Sequence, residues 1–168
     1  MPSSSPEARW WTSPRPHGRW CRGLRPRPGG SCLNVAAGLG RLRVPTALLA
    51  RISDDHFGDL LRAHLAASGT RLTQALPASD PTTLAAVHLR EDGSAAYSFQ
   101  ADGTADRGLR PEHLAALPDG GALPAGTALH LGSLGLLLEP LASTLDGLIR
   151  RERAGGWCPS IRTCGRAW

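Results

Sequence analysis

Lysine is absent from this 168-residue sequence, and every one of its 19 basic side chains is an arginine. That excludes a Walker-type phosphate loop, whose Gly-Lys-Ser/Thr run needs the lysine, and it hints at a GC-rich gene. There is no G-x-G-x-x-G and no H-E-x-x-H, so neither the dinucleotide fingerprint nor a zincin helix is encoded. The four cysteines show no C-x-x-C pairing, and Cys158 and Cys164 stand too far apart for a knuckle, which argues against a zinc site and a disulfide framework. No apolar run reaches membrane-spanning length. The N-terminus also lacks the continuous apolar core of a signal peptide. A soluble cytoplasmic protein without a membrane partner is the expectation.

What is present is unevenly distributed. All five tryptophans (Trp10, Trp11, Trp20, Trp157, Trp168) and three cysteines (Cys21, Cys158, Cys164) fall outside residues 29–156. That central span carries 11 Arg against 13 Asp and Glu, a net of −2, whereas the two ends carry 8 Arg against the single Glu7. The sequence pI of about 9.8 therefore belongs to the ends. Basic tails can bind nucleic acid, but Pro-broken Arg runs lack any reading element, and no nucleic-acid partner is expected. The length suits one domain.

From Gly29 onward ordinary periodicities set in. "GGSCLNVAAGLGRL" is a Gly pair, then Ser31 as candidate N-cap, then apolar residues at helical spacing. "VPTALLARI" (44–52) predicts a buried strand. "SDDHFGDLLRAHLAASG" predicts a helix capped by its acidic start and stopped at Gly69. "TTLAAVHLR" and "SAAYSFQ" flank "EDG" as a hairpin. Residues 111–117 predict a short helix, 127–135 a strand ending in a Gly/Ser turn, and 139–156 a helix with Leu141, Leu145, Leu148 and Ile149 inward. Strand–helix alternation broken by one hairpin implies an α/β fold, a parallel sheet with helices on both faces and a small antiparallel β appendage.

Gly29 and Gly30 are the foremost site candidates. A ligand can approach a backbone without Cβ atoms, and the free N–H groups of a first helical turn favour hydroxyl or anionic oxygens. Asn34 adds a donor and an acceptor one turn later. A plain tight turn with a solvated Asn34 is the blander alternative, and these residues alone favour it. Asp54 and Asp55 read as helix-start carboxylates rather than a catalytic pair. The scattered histidines, His56, His64, His88, His113 and His130 among them, have no metal-ligand spacing, and Ser133 in "LGSLG" lacks the G-x-S-x-G order.

"GGSCLNVAAGLGRLRVPTALLARISDDHFGDLLRAHLAASGT" resembles the first signature of the PfkB (ribokinase/fructokinase) carbohydrate kinases, with Gly29, Gly30, Asn34, Gly38, Asp54, Asp55, Phe57 and Gly58 in matching positions and Ser53 where Gly is usual. "PTTLAAVHLREDGSAAYSFQADGTAD" resembles the lid of the fructokinase branch, with Thr104, Ala105 and Asp106 matching and Gln100 and Ala101 departing from its usual aromatic or Arg. "ALHLGSL" resembles the strand that follows. The resemblance implies a partial ribokinase-like fold over 29–156 with its lid hairpin near 82–106. It implies ATP- and Mg²⁺-dependent phosphorylation of a sugar hydroxyl, with Gly29, Gly30 and Asn34 holding the sugar and Phe99 facing it from the lid. It also implies a homodimer through the lid in the complete protein. The family's catalytic base, an Asp in G-A-G-D, has no counterpart here, and neither the nucleotide site nor a metal site is expected in the chain. An inactive, truncated kinase is the expectation; a noncatalytic sugar-binding or dimerising module is the alternative.

The ends, 1–28 and 157–168, read as the right DNA in the wrong frame. Two bases on, Trp157-Cys158 forces Val, Cys164-Gly165 allows only Arg or Trp, and the codons between permit the D-P-N-x-R-P that family members carry there. At the front, Trp10-Trp11-Thr12 forces Val-Asp, the close of a hydrophobic first strand.

Overall fold

The computed structural model describes residues 26–90, 92–117, 123–124 and 127–154. The end segments expected to be irregular lie outside these residues, apart from 26–28. Helix α1 spans Ser31–Arg41, β1 Ala50–Ser53, α2 His56–Ala67 and β2 Ala75–Ala78. Strands β3 (Leu84–Leu89) and β4 (Ala95–Gln100) follow, then α3 (Pro111–Ala115) and α4 (Leu141–Ala154), with 3-10 turns at Asp106–Gly108 and Ser133–Leu136.

β1 and β2 run parallel, Ala50 opposite Ala75 and Ser53 opposite Ala78, with α2 as the crossover that parallel pairing requires. Side chains alternate across a strand, so Leu48 and Ile52 point to one face of this layer and Leu49 to the other. On the first face they meet Leu33 and Ala36 of α1 and Leu65 of α2. On the second, Leu49 and Leu76 pack with Leu109, Leu114, Leu117 and Leu148. Helices therefore cover both faces, which is the α/β layering that the alternation of elements predicts.

Three expectations need correction. Ser31 is not the N-cap of α1: Gly30 is, at φ 128° and ψ 147°, and Ser31 is the first helical residue. A φ of that sign is open to glycine and strained for any residue with a Cβ. The strand expected over 44–52 starts late. The first residues after α1 complete its C-terminal turn (Val44 N–H to Leu39 O, 3.0 Å), and pairing opens with the Ala47–Arg71 bridge. Residues 127–135 form no strand: a strand exists through its ladder, and among the described residues no ladder reaches 127–132, while 133–136 turn as a 3-10 helix.

The remaining elements follow their sequence signals. Asp55 caps α2, and Gly69 ends it at φ 81°. β3 and β4 form the antiparallel hairpin, Ala85 opposite Phe99 and Val87 opposite Tyr97. Its turn closes through Arg90 N–H to Ser94 O (2.8 Å) and the Asp92 carboxylate on the Ser94 N–H (2.8 Å). In α4, Leu145 and Leu148 are buried and the Arg-rich last turn meets the negative end of the helix dipole.

Candidate functional site

The start of α1 leaves its first backbone N–H groups without a side-chain acceptor. Gly30 O accepts the first helical bond from the Asn34 N–H at 2.8 Å, and no side chain caps the turn. The first N–H groups of a helix have no intrahelical acceptor, and here Gly29, Gly30 and Asn34 all lie exposed around them. No acidic residue occupies this first turn. Residues 130–132 flank it from behind: the Gly132 N–H bonds the Cys32 sulfur, and burial pushes the Cys32 thiol up in pKa against the opposing pull of that bond.

Asp54 and Asp55 divide their roles. Asp54 is exposed and pairs with Arg62 (3.0 Å), which also holds Asp59 (3.1 Å) and the Ile52 carbonyl (3.1 Å). Asp55 is the N-cap, as the sequence suggested, with Oδ1 on the Gly58 N–H at 2.7 Å. It also accepts from the N–H and the hydroxyl of Thr82, at 2.8 and 2.7 Å. Burial raises its carboxyl, but the bonds from Thr82, Gly58 and Ser53 together outweigh that and hold it at about 2. An acceptor of several hydrogen bonds is stabilised as the anion.

The hairpin presents one apolar face. Phe99 and Tyr97 stack with ring centroids 6.0 Å apart and planes 12° apart, and Val87 stands across from Tyr97. Phe99 (53 %), Tyr97 (52 %) and Val87 (52 %) are each about half exposed. The structure thus brings Gly29, Gly30 and Asn34 together at one helix start but does not join Phe99 to them. Among the described residues no hydrogen bond or ring contact links the two.

Sequence reasoning missed the root of the hairpin. Thr83 bonds the Thr104 hydroxyl (2.7 Å) and the Asp106 carboxylate, and Ala105 N–H donates to Pro81 O (2.9 Å). Arg51 pairs with Asp80 at 2.9 Å below it. Only Thr104-Ala105-Asp106 had a sequence signal, through its motif match. The partners lie about 20 residues or more away, where no local pattern reports them.

A parallel layer with helices on both faces, an exposed Gly-Gly helix start and a small antiparallel hairpin make up an α/β domain. The profile described as pfkB family carbohydrate kinase matches residues 18–158, and the chain belongs to that family. It is 38 % identical over 133 residues to a fructokinase of Rhizobium leguminosarum bv. trifolii, covering 79 % of this chain and 39 % of that one. To a fructokinase of Klebsiella pneumoniae it is 33 % identical over 141 residues, covering 81 % and 44 %. The crystal structure of a fructokinase from Xylella fastidiosa superimposes with TM-score 0.70 at 28 % identity, covering 82 % of this chain and 43 % of that one. The fold is accordingly a partial ribokinase-like α/β fold of the fructokinase-like branch. The chain spans about two-fifths of the length of these relatives.

Proposed function

We propose that these residues form the sugar-binding portion of an ATP-dependent sugar kinase, a phosphotransferase with an alcohol group as acceptor and fructose as its substrate type. The observations that carry this are the 38 % identity to a fructokinase and the family match over residues 18–158, a span that includes the exposed Gly29-Gly30 helix start. In this reading the backbone N–H groups around Gly29 and Gly30 and the Asn34 amide bind sugar hydroxyls, and Phe99 covers the sugar from the lid. Phosphoryl transfer asks for positioning of the acceptor and exclusion of water more than for covalent chemistry, and these residues would supply both.

ATP and Mg²⁺ complete the proposed reaction. A fructokinase of Xylella fastidiosa carries ATP in its crystal structure. Among the described residues no three His, Cys, Asp or Glu converge on a common point, and the G-A-G-D motif is not in the sequence. No catalytic step is therefore assigned to this chain. Cytoplasmic location belongs to the same proposal; among the described residues no helix is long and apolar enough to cross a membrane.

Residues 29–156 would be the N-terminal part of the kinase domain, with 1–28 and 157–168 translated from a shifted frame. The coding DNA with its flanks decides that point, since an in-frame functioning gene would remove it. In the frame-repaired protein, Asn34→Ala should raise the KM for sugar strongly, because one or two lost hydroxyl bonds cost about 1–3 kcal/mol. An unchanged KM for every accepted sugar would reduce Asn34 to a structural role.

The stacked Phe99 and Tyr97 beside Val87 favour a second reading for the same hairpin, a homodimer in which two copies bury this face. Sedimentation of wild type against Tyr97→Ser separates the two: a monomer in both cases leaves the sugar lid alone.

A further inference from the structure

The hairpin is attached to the body of the domain through its root. β3 and β4 pack chiefly on one another, without comparable contact to any other element, and an isolated two-stranded hairpin is marginal in water. Its orientation must be set below residue 84 and above residue 100. Several root bonds only join the two legs: Thr83 to Thr104 and Asp106, and Ala105 to Pro81. Others reach the body. Arg51 of β1 pairs with Asp80 before the incoming leg (2.9 Å) and donates to Gly108 O after the outgoing leg (3.3 Å). Arg107 adds a long bond to Glu139 O, 3.4 Å. The tightest attachment is the two-bond grip of Asp55 on Thr82, 2.8 and 2.7 Å.

We propose that Asp55 is the positioning residue of the lid. A single carboxylate caps α2 through Gly58 and holds Thr82, the second residue before β3, so the base of the incoming leg and the start of α2 are one rigid piece. Bonds to an ionised acceptor are shorter and stronger than neutral ones, which suits a fixed mount. The hairpin then pivots above Thr82, with the Thr83–Thr104 contact as its lowest movable tie, and the link from β2 to the lid stays fixed. That this movement covers a sugar rests on the function proposed above; the mechanical mount does not.

Tyr97 is the sole tyrosine of the chain, so fluorotyrosine labelling puts one fluorine resonance on the lid. Asp55→Asn keeps an oxygen to cap α2 but loses one carboxylate acceptor toward Thr82. In the full 168-residue chain this should speed amide exchange in β3 and β4 about 10- to 100-fold, shift or sharpen the Tyr97 resonance, and change the α2 amides less than those of the hairpin. Thr82→Val, which removes only the hydroxyl bond, should move both readouts less and in the same direction, and Thr82→Ser should restore them. Asp59→Asn, which removes an Arg62 partner on the same helix, should leave the lid as it is. Wild-type lid exchange and an unmoved resonance in both Asp55→Asn and Thr82→Val would overturn the proposal. So would equal loss of protection in α2 and the lid, since the carboxylate would then be a helix cap alone. Failure of the sugar-kinase reading would show instead as absent sugar binding by the wild type, with these lid responses intact.

Discussion

At the scale of single residues, the turn from β1 into α2 leaves the least freedom. A Cβ on Gly58 would stand 1.9 Å from the Ser53 carbonyl oxygen, and backbone rather than a movable side chain receives the clash. Gly58→Ala should therefore destabilise the chain by about 3 kcal/mol, read as a lowered urea midpoint; a midpoint within error of wild type would show that the turn relaxes. Asp55 makes the same turn sensitive to acid. Its folded carboxyl sits at about 2, below the ordinary 3.8. A depressed carboxylate pKa contributes stability that is whole above the unfolded value and is lost as pH falls through the folded one. The stability gap between wild type and Asp55→Asn should thus be full at pH 5 and shrink between about pH 4 and pH 2. Urea titrations at pH 5 and pH 3 check the sign, and a gap that widens at pH 3 would contradict it.

At the scale of elements, packing decides which helix positions tolerate change. Leu65 of α2 is completely buried between α1 and the sheet, whereas Gly147 of α4 faces open space, with nothing within 4 Å of an added Cβ. A helix-interior glycine carries an entropic penalty against alanine. Gly147→Ala should accordingly raise stability by about 0.5–1 kcal/mol, seen as a higher Tm. A lowered Tm would mean that this face of α4 is covered by something else in solution. Hairpin and helices contrast here: α1, α2 and α4 bury their apolar stripes, while the hairpin leaves Phe99, Tyr97 and Val87 half exposed.

At the scale of the whole molecule, the chain should bind sugar weakly or not at all and show no kinase turnover. Electrostatic positioning of phosphates, metal and acceptor supplies nearly all of the acceleration in phosphoryl transfer, and the sequence has neither the base motif nor, among its described residues, a metal-holding cluster. Among those residues the parallel layer has two strands and no third strand beside them, and an uncovered sheet edge favours aggregation. Assaying residues 1–168 for ATP-dependent phosphorylation across hexoses, pentoses and sugar acids tests this directly. Turnover above background by a folded monomer would refute it.

The local chemistry of the chain determined most of its elements. Helix α2 was legible because its cap, its apolar spacing and Gly69 all act within a few residues, and the hairpin because Asp92-Gly93 must turn whatever surrounds it. Gly29, Gly30 and Asn34 were legible as a group for the same reason: one helix start places all three. Tertiary structure decided the rest. Whether "TALHLGSLG" is a strand depends on a neighbour to pair with, which its own side chains cannot supply. Whether Gly30 or Ser31 caps α1 turned on a backbone angle that the segment's path into the helix imposes. And the second task of Asp55 arises only because folding sets Thr82, 27 residues away, against a carboxylate already used as a cap. Periodicity and capping are short-ranged and visible in the sequence; a hydrogen bond between distant segments exists only once the fold has brought its two ends together.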